Sequence, residues 1–194
     1  MFDLITVIHN EINLDLALNK LQPSIEQFST MDYNFYLHDN RTNNIGFGHA
    51  CNYQSRIGSS PIIGFLNPDS RVTGPFMDLV VETLSEDIVV TGANFNKNPV
   101  EIHGWGLNDW VCGAAMFVTR SWFEELGGFD ERYIWSHEET DFIRTTESRG
   151  RSCKSLYPEQ LPILHEPIAD TPEDIRYKQH YFAEAERLYW QKWR

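Results

Sequence analysis

The nine residues Ile62-Ile63-Gly64-Phe65-Leu66-Asn67-Pro68-Asp69-Ser70 constrain this chain more than any other stretch. A short apolar run bounded by polar residues suits a fully buried strand, although periodicity alone leaves a buried helix open. Pro68 fixes where the run stops, because it removes a backbone donor and pushes Asn67 out of helical space. Asp69 is thereby delivered to the carboxyl end of a strand, where open α/β sheets place their ligands. Either Asp69 holds a divalent cation that in turn holds a diphosphate, or it sits in an ordinary turn. Asn-Pro-Asp-Ser is good turn chemistry as well.

The surrounding pattern alternates strand and helix. Residues 4–8 are β-rich and apolar, a central strand by composition, and end in His9-Asn10-Glu11. Leu14, Leu18, Leu21, Ile25 and Phe28 recur at helical spacing and predict an amphipathic helix after Asn13. Residues 33–37 form the next strand, with His38-Asp39-Asn40 at its polar end, so the first forty residues read as a right-handed parallel βαβ unit. In the stretch 44–52, Gly46 and Gly48 bracket Phe47 ahead of a helix expected near His49. Those glycines either let the backbone approach an anionic ligand or only make the turn.

Farther along, a helix is predicted over 75–84 and a strand over 88–93. Residues 94–110 read as an irregular polar and aromatic loop of a length usually kept for function. Ser121 to Glu124 has the capping-box pattern, and Gly127-Gly128 closes that helix. A further helix is expected from Ser136, its first turn carrying Glu138, Glu139 and Asp141. Carboxylates there complement the helix dipole, and Glu139 stands where a capping box from Ser136 wants it. The C-terminal helix aligns Tyr177, Tyr181, Ala185, Leu188 and Tyr189 on one face, with Arg176, Lys178, Arg187, Lys192 and Arg194 elsewhere. It either packs on the domain or lies at a membrane surface.

Bulk properties narrow the class. At 194 residues the chain fits one domain with a real core. Its net charge of −12 argues against nucleic acid, which needs a basic footprint. An acidic protein that handles a phosphate-bearing substrate needs a cation as intermediary. Cys51, Cys112 and Cys153 are odd in number and form no Cys-x-x-Cys pair, so reduced thiols are expected. No basic leader precedes the first strand and no apolar run is long enough to span a bilayer. A cytoplasmic location is expected, with peripheral contact at the inner membrane face open through the last helix.

Four ordered blocks carry a family resemblance: the first strand with His9-Asn10, the loop and helix of 44–52, Phe65-Leu66-Asn67-Pro68-Asp69, and residues 113–144. The last block contains Gly-Gly-Phe-Asp-Glu at 127–131 and Glu-Glu-x-Asp-Phe-x-x-Arg at 138–144. Together they resemble the family-2 glycosyltransferases, inverting enzymes of the GT-A fold, and especially their rhamnosyltransferase-like branch. The resemblance implies a Rossmann-like, mostly parallel sheet flanked by helices in a domain over 1–170, with the helix of 171–194 appended. It implies transfer of a sugar from a UDP- or dTDP-sugar to a hydroxyl of a glycan or lipid-linked acceptor.

Residue by residue, the resemblance assigns the donor to His9, Asn10, Asp39, Asn44, Gly46, Asn52, Asn67 and Asp69. Asp39 would meet the nucleotide base, whose imide N–H wants an acceptor. Asn67 and Asp69 match an Asp-x-Asp motif whose first acid is here Asn; Asp69 keeps the metal-ligand role for Mn²⁺ or Mg²⁺, joined by His165. Glu138-Glu139 matches a Glu-Asp pair, with Glu139 as general base. Trp105, Trp110 and Asp141 would face the acceptor, with core packing equally open to either Trp. Three competitors stand beside this reading: an inactive sugar-nucleotide-binding module, a sugar-phosphate nucleotidyltransferase, and a structural partner protein. The nucleotidyltransferases place a Gly-rich basic loop after the first strand, where this chain has His9-Asn10-Glu11.

Overall fold

The computed structural model describes residues 1–95, 101–102, 105–106, 110–168 and 172–194, with side chains from 101 to 106 and at 173 left aside. The stretch 62–66 is a strand, β3 (Ile62–Leu66), buried at every position. It lies between β1 (Phe2–Ile8) and β8 (Ala115–Thr119) in a six-stranded sheet of order β2-β1-β3-β8-β5-β9. The other members are β2 (Tyr33–Asp39), β5 (Ile88–Ala93) and β9 (Ser152–Leu156). β1 pairs in parallel with β2 and β3, and β5 with β9, while β8 alone runs against both its neighbours. The sheet is thus mostly parallel, as expected.

Both faces of the sheet are covered at its centre, so β1, β3, β8 and most of β5 are buried along their length, while the edge strands β2 and β9 carry exposed residues. Alternation still sorts the side chains. Ile5, Val7, Ile63, Phe65, Met116 and Val118 face one core with Phe123, Phe129 and Phe142. Phe2, Leu4, Leu66, Ala115 and Phe117 face the other with Leu21, Ile25 and Phe76. Phe65 is fully buried, with ring centroids of Phe123 and Phe129 at 5.3 and 5.0 Å. Burial of such a side chain contributes about 1.5–3 kcal/mol. Gly64 is required by space: a Cβ there would come within 2.7 Å of Leu4 and 2.8 Å of Phe117.

The helices cover these faces. α1 (Glu11–Leu16) runs through a π turn at Ala17–Leu21 into α2 (Gln22–Phe28). This corrects the expected start after Asn13, since Asn10 is the cap and its side chain accepts from the Asn13 N–H at 2.8 Å. The π turn inserts extra backbone and rotates the buried stripe to Leu16, Ala17, Leu21 and Ile25, leaving Leu18 46% exposed. α3 (Phe47–Ser55), α5 (Arg120–Leu126) and α6 (Glu138–Ser148) pack on the first core, and α4 (Met77–Thr83) on the second. α5 begins without a side-chain cap, so Ser121 lies inside the helix and the capping box is absent, whereas Gly127 does close it in the left-handed conformation. β6 (Glu101–Ile102) and β7 (Trp105–Gly106) pair antiparallel, and most of the loop expected over 94–110 lies outside the described residues. α7 (Pro172–Lys192) packs through Ala185 and Tyr189 against Tyr133.

Candidate functional site

Strand directions gather one edge of the sheet. β3 ends there at Leu66, β5 ends there at Ala93, and antiparallel β8 begins there. The Asn67 N–H donates to the Ala114 carbonyl at 3.0 Å, and the Cys112 N–H to the Ala93 carbonyl at 2.8 Å. Pro68 and Asp69 form a turn closed by the Ser70 N–H on the Asn67 carbonyl at 3.0 Å, so the turn reading of this stretch is correct as geometry. It does not exhaust Asp69. β4 (Ser70–Val72) pairs with β10 (Ile163–His165) in a register that sets His165 opposite Ser70. That ribbon brings His165 Nε2 to 3.2 Å from Asp69 Oδ1. The same Asp69 oxygen is buried and accepts no well-formed hydrogen bond.

The first turn of α6 meets this edge from the other side. A Cβ on Gly113 would sit 3.5 Å from the Glu139 side chain. The Cys112 thiol is pushed up to about 12, first by burial and then by the negative charges of Glu139 and Asp69. Glu139 is half-buried and Glu138 buried, with one Glu138 oxygen lacking a hydrogen-bond partner. Burial raises both carboxyls above the usual range, and for Glu138 the neighbouring Glu139 adds to the rise. Backbone N–H groups of Glu139 and Thr140 pull Glu139 partly back.

The expected capping box fails here. α6 starts at Glu138, its cap is His137, and no side chain caps it. Ser136 and His137 both have φ of 71°, a left-handed backbone that excludes Ser136 from the extended geometry of an N-cap. Glu139 is therefore free of the structural duty that competed for it.

Several residues expected at the donor are committed to holding the fold. The side chain of Asn10 caps α1. Asn52 is buried, takes the Phe129 N–H at 2.9 Å and donates to the Phe129 carbonyl at 2.8 Å and to Glu131 at 3.1 Å. Gly46, with φ of 87°, approaches the Ile134 carbonyl instead of leaving room for a ligand, and Gly48 lies against Phe129 and Glu138. Asn44 accepts from the Gly46 N–H and donates to the Tyr177 hydroxyl, each at 2.9 Å. Asp39 remains exposed but is gripped by Arg41, which holds its carboxyl down at about 2 and also reaches Glu11 at 2.6 Å. His9 lies at the surface with its imidazole pushed down by desolvation and by His38 and Lys178 nearby.

Of the acceptor candidates, Asp141 is turned toward the C-terminal helix. It is 3% exposed and paired with Lys192 at 2.7 Å and the Trp193 ring N–H at 2.7 Å. Trp110 packs on the first core with its ring nitrogen buried and unpartnered. The Trp105 side chain lies outside the described residues. Sequence reasoning missed Cys112 and Gly113 as the floor between the carboxylates; the small residues at 113–115 were the available signal.

The donor set fits a cation in part. Among the described residues no cluster of three or more His, Cys, Asp or Glu side chains forms a complete cage. Asp69 and His165 nevertheless supply an unsatisfied carboxylate oxygen beside an imidazole nitrogen, and ions of the Mg²⁺ type need only one or two protein ligands when substrate phosphates and water supply the rest.

No family model matches the chain. A segment of 65 residues is 34% identical to N-acetylglucosaminyl-diphospho-decaprenol L-rhamnosyltransferase of Mycobacterium tuberculosis, spanning 34% of this chain and 20% of that enzyme. Mannosyltransferase PcManGT from Pyrobaculum calidifontis, in complex with GDP-Man and Mn²⁺, superposes with a TM-score of 0.61 at 14% identity. That match covers 80% of this chain and 54% of the mannosyltransferase. TarS of S. aureus with UDP-GlcNAc gives 0.63 at 10% identity, over 87% of this chain and 59% of its own. A glycosyltransferase involved in glycosylation of the major capsid of PBCV-1 gives 0.54 at 11%, over 93% and 98%.

Proposed function

We propose that this chain, which has the GT-A fold of the glycosyltransferases it resembles, is an inverting enzyme that transfers a sugar from a nucleoside-diphosphate donor to an acceptor hydroxyl. The observation that carries the proposal is the convergence of Glu139 and the Asp69–His165 pair on Cys112-Gly113 at the carboxyl edge of the sheet. In this reading Glu139 serves the acceptor hydroxyl and the Asp69–His165 pair the diphosphate.

Glu139 accepts the proton of the acceptor hydroxyl as that oxygen attacks the anomeric carbon. Its half-buried position raises its affinity for that proton, which improves the base as long as it starts ionised. Glu138 is buried deeper and its carboxyl is raised further, by burial first and by Glu139 second, so of the two Glu139 gives up its proton more readily. Asp69 and His165 would hold a divalent cation, Mn²⁺ or Mg²⁺, which when bound offsets charge on the departing diphosphate. Asn67, in the same turn, offers a neutral amide toward a ribose hydroxyl. Asp39 is the candidate for the base, reached when Arg41 yields it. UDP- and dTDP-sugars are the proposed donors, and a glycan or lipid-linked hydroxyl the proposed acceptor class. The rhamnosyltransferase similarity supports a polyprenyl-linked acceptor.

The test is a thermal-shift screen of nucleotide sugars with and without Mn²⁺, followed by assignment of the product anomer by NMR. A bound donor raises apparent stability by mass action. Absence of any nucleotide response together with absence of turnover would remove the proposal. A donor response without turnover would favour the inactive binding module.

A further inference from the structure

We infer that α7 is a clamp for catalysis: Phe182 and Tyr189 pack on His137 and hold the left-handed turn that aims Glu139 from the start of α6. The clamp rests on Glu139 being the base, as proposed above, but its structural half stands independently.

Ser136 and His137 are consecutive residues with φ of 71°, and neither is glycine. Side chains with a Cβ rarely adopt this backbone, and it persists only where the surroundings enforce it. The α6 terminus supplies no capping side chain of its own. Within the turn, the Ser136 hydroxyl lies 3.1 Å from His137 Nδ1; further enforcement comes from outside. His137 is 3% exposed, and its ring lies between Tyr133 at 6.4 Å, Phe182 at 5.2 Å and Tyr189 at 5.5 Å. Two of those three rings belong to α7.

α7 grips the other end of the same helical turn. The Asp141 N–H donates to the His137 carbonyl at 2.8 Å, closing the first turn of α6. The Asp141 carboxylate is in turn held by Lys192 and Trp193 at the end of α7. Glu138 and Glu139 lie between these two anchored points. The carboxylate assigned to the acceptor from sequence thus acts as the hook by which α7 holds the base in place. Among the described residues none of α7 belongs to the two cores on the sheet, and Phe182 is 41% exposed, so trimming it leaves the sheet packed. Positioning of this kind is where small misplacements are costly, since about 1 Å can lose roughly 10²-fold in rate.

The test is a double-mutant cycle in the full chain, with Phe182→Ala, His137→Gly and the pair. Amide hydrogen exchange is read at residues 138–141, nucleoside diphosphate release from a panel of UDP- and dTDP-sugars, and UDP affinity separately. Glycine adopts φ near +70° freely, so it relieves the backbone at 137 and at the same time removes the ring on which Phe182 packs, while Ser136 keeps its left-handed conformation. The expected result is that Phe182→Ala speeds exchange at the Asp141 amide and lowers kcat roughly 10- to 100-fold with UDP affinity unchanged. In the His137→Gly background the same change should cost less than about twofold, a non-additivity that marks coupled residues. Unchanged exchange in Phe182→Ala, or equal effects in both backgrounds, overturns the clamp. Glu139→Gln run alongside separates the two ideas. If it turns over normally, the base assignment fails while exchange and coupling still judge the clamp.

Discussion

Glu139→Gln should separate activity from stability, moving them in opposite directions. Gln keeps the size of the side chain, so the contact with Gly113, where a Cβ would stand 3.5 Å away, is preserved. No capping box is lost, because Ser136 does not cap α6. The lost charge at a helix N-terminus costs about 0.3–1 kcal/mol. Against this, folding raises the Glu139 carboxyl, which means that the ionised form is held less well in the folded protein than in the unfolded chain. The neutral replacement removes that penalty at neutral pH. The melting temperature should therefore hold or rise. Transfer should fall by roughly 10²–10⁴, the usual contribution of a positioned base. In the wild type, the acid limb of kcat/KM should lie above the ordinary glutamate value of about 4.3, and it should vanish in the variant. Purified protein, a radiolabelled donor and a differential scan suffice. Near-normal transfer by Glu139→Gln, with the acid limb intact, would refute both the base assignment and its electrostatic argument.

Three further outcomes follow from the same structure. Glu138→Gln should stabilise the protein more at pH 7–8 than at pH 4. The folded state holds this proton more tightly, so its contribution is full below about pH 4.3 and is lost as pH rises toward the raised folded value. Melting curves across that range check it, and a parallel offset at all pH values would contradict it. Asp69→Asn should abolish any enhancement of UDP affinity by Mn²⁺ while leaving the fold intact; calorimetry with and without Mn²⁺ is the measurement, and equal enhancement in the variant would take Asp69 out of the cation site. Asn52→Ala should cost about 1–3 kcal/mol in urea unfolding, because the Phe129 N–H is left buried without its acceptor. UDP affinity per folded molecule should stay unchanged, and a selective loss of affinity would restore Asn52 to the donor.

β1, β2, β3 and β5 were legible as apolar or β-rich runs that end in polar residues, whereas β8 and β9 were not singled out as strands. β5 has the bounds 88–93 that its composition predicts, and β3 the bounds 62–66 that Pro68 sets. The π turn at 17–21 was not legible: nothing in Ala-Leu-Asn-Lys-Leu distinguishes it from a regular turn, yet it moves Leu18 from the core to the surface. The structural duties of the two amides were not legible for a chemical reason. Asn10 and Asn52 carry a donor and an acceptor suited to a nucleotide, and the same two groups serve equally well for an N–H and a carbonyl of the chain's own backbone. Only the fold shows that Asn52 stands beside Gly128, where a Cβ would come within 2.3 Å of its oxygen.

The acids of the α6 turn show how the ambiguity resolves. From sequence, Glu138, Glu139 and Asp141 are interchangeable, since each suits the positive end of a helix. The backbone assigns them differently. Left-handed Ser136 and His137 remove the cap that would have occupied Glu139, and the helical rotation between 139 and 141 turns one carboxylate toward Gly113 and the other toward Lys192. Glu138 is left deep against Gly48, with an unpartnered oxygen and the most unfavourable ionisation of the pair. A buried acid whose carboxyl is raised most, a half-buried acid at the sheet edge raised less, and a third bound to an ammonium make three chemical environments for one residue class. The proposed assignment of the base to Glu139 rests on this difference: among the three, only Glu139 both lies against Gly113 at the sheet edge and has no cationic partner among the described residues.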